Sequence, residues 1–118
     1  MDVVLHITTA AAWAAAQRGG VYRTPTLDDE GFIHLSTPAQ VTTVADFLYC
    51  GRTDLVLLCV RPDRLTAELR YEALKTDAPY PHLYGPLNLG AVVQVVPFPP
   101  LPDGTFRLPA GVGSSLTP

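Results

Sequence analysis

The chain has 118 residues, 47% of them hydrophobic and 16% charged, and carries a net charge of −3 from 8 basic and 11 acidic side chains. This is one domain's length, with enough apolar content for a single core and too much for a disordered chain. No run of Lys or Arg supplies the positive face that a phosphate backbone attracts, so no nucleic-acid partner is expected. Two cysteines, Cys50 and Cys59, are too few for a disulfide scaffold and are expected to be reduced thiols. There is no basic stretch leading into an apolar leader and no apolar run of membrane-spanning length. A soluble cytoplasmic protein without a membrane partner is expected.

Along the chain, "VVLHIT" (3–8) is a β-branched first strand. "TTAAAWAAAQRGG" then predicts a helix with Thr8 or Thr9 at its N-cap, Trp13 as its large anchor and Gly19 at its end. "VYRTPTLDDE" (21–30) reads as a short strand and a loop, with the three acids at 28–30 forming a solvated turn. "FIHLS" is a second substantial strand. "TPAQVTTVADFLYCG" predicts a helix capped by Thr37, with Pro38 at its first position and Gly51 closing it.

The nearly unbroken apolar run "DLVLLCVRP" (54–62) predicts a central strand buried on both faces. "DRLTAELRYEAL" gives a turn and a strand near 69–73. "APYPHLYGPLNLGA" reads as a long, stiff loop, and "VVQVVPF" (92–98) as the last strand. From Pro99 onward, five prolines and three glycines in twenty residues predict a flexible tail over 99–118 beyond a globular domain of 1–98. Strands outnumber helices in irregular order, which predicts an α+β fold with two helices and a mixed, mainly antiparallel sheet.

Three histidines sit in apolar runs beside hydroxyl or phenol groups: His6 in "VVLHITT", His34 in "GFIHLST" and His82 in "YPHLYGPL". Each alone reads most simply as a hydrogen-bonded structural residue, Ser36 and Thr37 as turn and cap, and Glu72 as a solvent-facing strand residue. Taken together they place polar groups at strand ends and in one rigid loop, where binding groups collect. The fold is therefore expected to bring the three imidazoles around one hollow. A three-histidine metal site is an alternative, although spacings of 28 and 48 residues contain no local H-x-H or H-x₃-H pair. A nucleophilic cysteine has less support, since Cys59 lies in the central strand.

"VLHITTAAAWAAAQRGGVYRTPTLDDEGFIHLST", "DLVLLCVRPDRL", "LRYE" and "PHLYGPLNLGAVVQVVPF" together resemble the bacterial domain of unknown function 952, over about residues 3–98. That family is similar in fold to the ADP-ribosyltransferase superfamily. The resemblance implies a split β-sheet with a cleft for NAD or a related nucleotide. It implies a ribose contact for His6 on the first core strand and a second-strand role for His34 with Ser36 and Thr37. For the late-strand catalytic group it implies a carboxylate, which Glu72 alone supplies, while Gln94 occupies the final strand and His82 the loop between them; His82 and Tyr84 of that loop are read as further cofactor contacts. Such a carboxylate stabilises the oxocarbenium-like centre left when the nicotinamide–ribose bond breaks. The chain has no G-x-G-x-x-G, so a Rossmann-type site has no support, and Arg18, Arg23 and Arg52 are scattered rather than gathered for a diphosphate. Three functions remain in competition: an NAD-type transferase with Glu72 and His34 as catalytic groups, a non-catalytic module that binds a small molecule or a protein, and a metal-dependent hydrolase.

Overall fold

A computed structural model describes residues 3–73 and 78–112. The strands are β1 (Val4–Thr9), β2 (Val21–Tyr22), β3 (Ile33–His34), β4 (Leu55–Val60), β5 (Glu68–Glu72), β6 (Tyr80–Tyr84), β7 (Leu87–Asn88) and β8 (Val92–Pro97). The α-helices are α1 (Ala10–Gly19), α2 (Pro25–Glu30) and α3 (Val41–Leu48). The strands form three sheets, ordered β1-β4-β8, β2-β7 and β3-β6-β5, and every pairing among the described residues is antiparallel. The α+β expectation holds, with three α-helices where two were expected and no parallel pair in the sheet expected to be mixed.

The β1-β4-β8 sheet is covered on both sides, which is why 54–62 reads as continuous apolar text. Leu5, Ile7, Leu55, Leu57 and Cys59 face one core with Val41, Ala45 and Phe98. Val4, Leu58 and Val60 face the other, with Ala16, Tyr22, Ile33, Leu83 and Leu87. His6 and Thr8 share the side of Val4, so this second face is apolar at one end of β1 and polar at the other.

Thr9 Oγ1 accepts the Ala12 N–H at 3.0 Å and caps α1, which stops at Gly20 in the left-handed conformation. Ala16 is the residue of α1 that buries fully, and Trp13 packs against the second core from a half-buried position. Residues 28–30 are solvated as expected, but they form the last turn of a helix and not a loop: Pro25 starts α2 and Gly31, at φ +89°, closes it with its N–H on the Leu27 and Thr26 carbonyls. Thr37 does not cap α3 with its hydroxyl. Residues 38–40 form a turn, the Thr37 carbonyl accepts the Gln40 and Val41 N–H groups, and the helix begins at Val41.

The largest departures from the sequence reading are two. The "APYPHLYGPLNLGA" segment is not a long loop, because Tyr80–Tyr84 is the middle strand of the β3-β6-β5 sheet. Its side chains alternate, with Leu83 buried inward and Tyr80, His82 and Tyr84 on the opposite face. Pro81 is tolerated where β3 ends, its carbonyl accepting the Leu35 N–H at 3.0 Å. Nor is 99–112 a free tail, since Phe106 and Val112 are buried in the first core; residues 113–118 lie outside the described residues. The closing strand runs out at Pro97, and Phe98 is fully buried.

Gly85, which follows β6, packs so closely on β5's approach that a Cβ there falls 2.7 Å from Ala67 Cβ. Gly85→Ala is expected to cost about 1–3 kcal/mol in urea melts. The double variant with Ala67→Gly should recover most of that loss, and no recovery would mean that the close approach is not the cause. Among the described residues no helix is long and apolar enough to cross a membrane.

Candidate functional site

Pairing of β3 with β6 places His34 directly opposite His82, their ring centroids 5.3 Å apart. Pairing of β5 with β6 places Arg70 opposite His82 and Glu72 opposite Tyr80, on the same outer face. Glu72 Oε1 lies 2.8 Å from His82 Nδ1 and accepts the Tyr84 hydroxyl at 2.5 Å. These two bonds, the phenol's foremost, hold the Glu72 carboxyl below the usual carboxylate range, and the same carboxylate raises the Tyr84 phenol. An ionised Glu72 can only accept, so His82 carries its proton at Nδ1 and donates it there, which leaves Nε2 without a hydrogen-bond partner among the described residues. Phe32 stacks on His82 at 4.1 Å and 17° between ring planes, fixing the imidazole from one side. His34, exposed, is engaged at Nε2 by Glu30, 3.2 Å away.

His6 reaches the same region from β1. Its Nδ1 lies 2.7 Å from the His34 carbonyl, which can only accept, so Nδ1 carries a proton. Its Nε2 is 2.8 Å from Tyr22 Oη, which in turn is 2.8 Å from Thr8 Oγ1. Burial lowers the His6 imidazole to about 4 and raises the Tyr22 phenol. Neutral at pH 7 with its proton on Nδ1, His6 offers Nε2 as an acceptor to the Tyr22 hydroxyl, which Thr8 Oγ1 also contacts. One chain of hydrogen bonds thus runs from the backbone of β3 through β1 to β2.

Between these groups lies a hollow of about 1160 Å³ whose walls include His6, His34, His82, Glu72 and Ser36. Ser36 bridges β1 through its backbone, exchanging hydrogen bonds of 2.7 and 2.8 Å with Leu5. Its hydroxyl has no hydrogen bond among the described residues. Beyond Ser36 the hollow continues past the edge of β1 to an apolar wall from α3, where Val44, Leu48 and the 86% exposed Phe47 line it. Thr37 and Tyr84 are not in its wall: Thr37 belongs to the turn before α3, and Tyr84 acts on the hollow through Glu72. Arg23 and Arg52 do reach it, each paired with an aspartate, Asp28 and Asp54.

The sequence reading missed Phe32, Tyr22, Glu30 and Thr8. "GFIHL" carried a signal for Phe32, because an aromatic two residues before His34 shares its side of an extended chain. Nothing local marked Tyr22, which is assigned by the pairing of β2 with β7. Among the described residues no group of three His, Cys, Asp or Glu is arranged to hold a metal ion. Cys59 is buried with its thiol pushed up to about 11, and Cys50 is exposed; both are free.

The model of a family described as protein of unknown function, DUF952, matches residues 7–95. The chain belongs to this family. The matched segment runs from within β1 to within β8, and so includes every histidine of the hollow except His6, which stands one residue before it. Among solved structures the chain is similar to protein CC0527 from Caulobacter crescentus. The crystal structure of that protein is 33% identical with a TM-score of 0.82, covering 90% of this chain and 94% of that one. Its solution structure is also 33% identical, with a TM-score of 0.79 and coverage of 90% and 92%. No curated protein matches the chain.

Proposed function

We propose that the hollow binds NAD or a related nucleotide carrying an aromatic carboxamide, and that Glu72 with His82 serves the chemistry at its ribose, as the resemblance to ADP-ribosyltransferases implies. The observation that carries this reading is the convergence of the edge of β1 beyond its Ser36 bridge with the Glu72–His82 pair on one cavity. Leu5 turns its N–H and C=O away from β4 to Ser36, and in an antiparallel strand alternate residues do the same. Ile7 therefore presents one donor and one acceptor toward the hollow, the complement of a carboxamide. At about 1160 Å³ the hollow exceeds the roughly 300–1,000 Å³ common for small-molecule sites, which suits a dinucleotide.

In this reading the Ser36 hydroxyl holds a ribose hydroxyl, His6, whose two ring nitrogens are already bonded to His34 and Tyr22, orders the wall beside it without holding ribose, and His34 lies beside the bond that breaks. Glu72, ionised, faces the developing positive charge at the ribose carbon, and His82 Nε2 takes the proton of the attacking acceptor. The test is titration with NAD, ADP-ribose and nicotinamide, followed by histidine ring resonances. His6 and His82 signals are expected to move at sub-millimolar ligand, and unmoved spectra at about 10 mM would end the proposal.

A second reading is favoured by two observations. Both lone pairs of Glu72 Oε1 are committed to His82 and Tyr84, and each guanidinium in the wall is already paired with an aspartate. A binding module that keeps the pocket without turnover fits these facts. Glu72→Gln separates the two. If the site is catalytic, turnover of NAD should fall by about 100-fold or more with ligand affinity changed by less than about threefold. If the site only binds, no turnover is detected in either protein.

A further inference from the structure

The sheets end in edges, and most of them are guarded. β1 is bridged by Ser36 and the hollow lies beyond it. β5 carries Glu68, Arg70 and Glu72, charges that discourage another strand from pairing. β3 and β2 are two residues long. β8, the outer strand of the β1-β4-β8 sheet, has none of these protections. Its six residues, "VVQVVP", hold no charge, and its centre is open to solvent, with Val93 43% and Val95 37% exposed.

We propose that β8 is a self-pairing edge, and that two copies of this chain join their β8 strands antiparallel about a two-fold axis at Gln94. The sequence carries the symmetry. Residues 92–96, Val-Val-Gln-Val-Val, read the same in both directions. A two-fold at Gln94 sets Val92 against Val96 of the other copy, Val93 against Val95, and Gln94 against itself. A closed pair of this kind requires a self-complementary patch, and a palindromic strand is one.

The hydrogen-bonding parity agrees. The Phe98 N–H bonds to the Leu55 carbonyl, so residues 98, 96 and 94 face β4, and Val95 turns its N–H and C=O outward. Pairing is confined at both ends. Pro97 offers no N–H, and the register shift opposite Cys59 and Val60 interrupts the ladder beside Val93. What remains is a short stretch that contains Gln94, and within it the palindrome selects this register over slipped ones. Gln94, without a side-chain hydrogen bond among the described residues, then gains the facing amide. The uncharged strand adds no repulsion where the chains meet. So short a ladder, with two valines a side, predicts a weak dimer.

Sedimentation equilibrium on the full chain from about 10 µM to about 1 mM tests the proposal. The average mass is expected to climb from 12.7 kDa toward twice that value. Val95→Lys, an exposed substitution that leaves the thermal midpoint unchanged, is expected to weaken association at least tenfold. In a Cys50→Ser background, Gln94→Cys should cross-link to itself on mild oxidation, since directly facing residues stand about 4.5 Å apart at Cα, within disulfide reach. A wild-type chain that stays monomeric at 1 mM overturns the proposal. So does a dimer that persists in Val95→Lys, or a dimer in which Gln94→Cys fails to cross-link.

Discussion

A chain cut after Phe98 is expected to lose most of its stability and to bind a dye for exposed apolar surface, although the cut removes text rich in proline and glycine. Phe98 and Phe106 stack with centroids 4.8 Å apart, and Phe106 and Val112 close the core that Leu5, Leu57 and Phe98 share. The segment between them is anchored: the Phe106 N–H donates to Asp46 Oδ1 at 2.7 Å, and the Gly104 carbonyl accepts the Gly51 N–H at 2.9 Å. Losing a buried Phe costs about 3–5 kcal/mol and a second apolar group adds to it, against a total stability of about 5–15 kcal/mol. In urea, Phe106→Ala alone should lower stability by about 3 kcal/mol, while a chain cut after Val112 keeps each of these side chains. A chain of 1–98 that melts like the full protein would refute the docking.

That segment also shows what local reading cannot reach. Composition marks "PPLPDGTFRLPAGV" (99–112) as unable to form helix or sheet, and it forms neither. Packing needs only two apolar side chains delivered to the right place, and Phe106 and Val112 are too sparse to register as a pattern. The converse holds for "YPHLYGPL". Its proline and glycine argued for a loop, yet alternation of Tyr80, His82 and Tyr84 against Leu83 is a period of two, and tertiary pairing on both sides outweighed local propensity. A strand such as β4, whose apolar text is continuous, was legible because burial on both faces writes itself into composition.

The hollow was legible at its histidines and illegible in its connections. An imidazole in an apolar run must find partners, and that requirement pointed to His6, His34 and His82 before any geometry. Which partners they find depends on register. His34 meets His82 because Ile33 pairs with Leu83, and a slip of β3 by one residue would turn the His34 ring to the opposite face and away from His82. Thr37 was misplaced because hydroxyl residues before a helix usually cap it, whereas here the Gln40 side chain takes the Thr37 N–H at 3.0 Å and the turn runs on through the backbone.

His6 gives the protein an acid limit. Burial lowers its folded pKa to about 4 from 6.5, so the unfolded chain binds a proton that the folded one refuses. Above pH 6.5 both forms are neutral and stability is complete. As pH falls toward 4 the unfolded state gains protons alone, and stability is lost progressively, by about 3 kcal/mol in all. Carboxylates with lowered pKa, such as Glu72 and Asp54, add their own loss only as pH falls below about 4.5, so the two contributions separate on the pH axis. His6→Asn keeps a donor for the His34 carbonyl but cannot titrate, and it deprives the Tyr22 phenol of its acceptor. Stability at pH 7.5 should therefore fall by about 1–3 kcal/mol, while the slope between pH 6.5 and 4 flattens. Urea melts of both proteins across that range supply the test, and an unchanged slope in His6→Asn would locate the acid sensitivity elsewhere. Protonation of His6 also reverses the chain it belongs to: Nε2 then donates to Tyr22, the phenol donates to Thr8, and the polar end of β1 presents a positive charge to the hollow it lines.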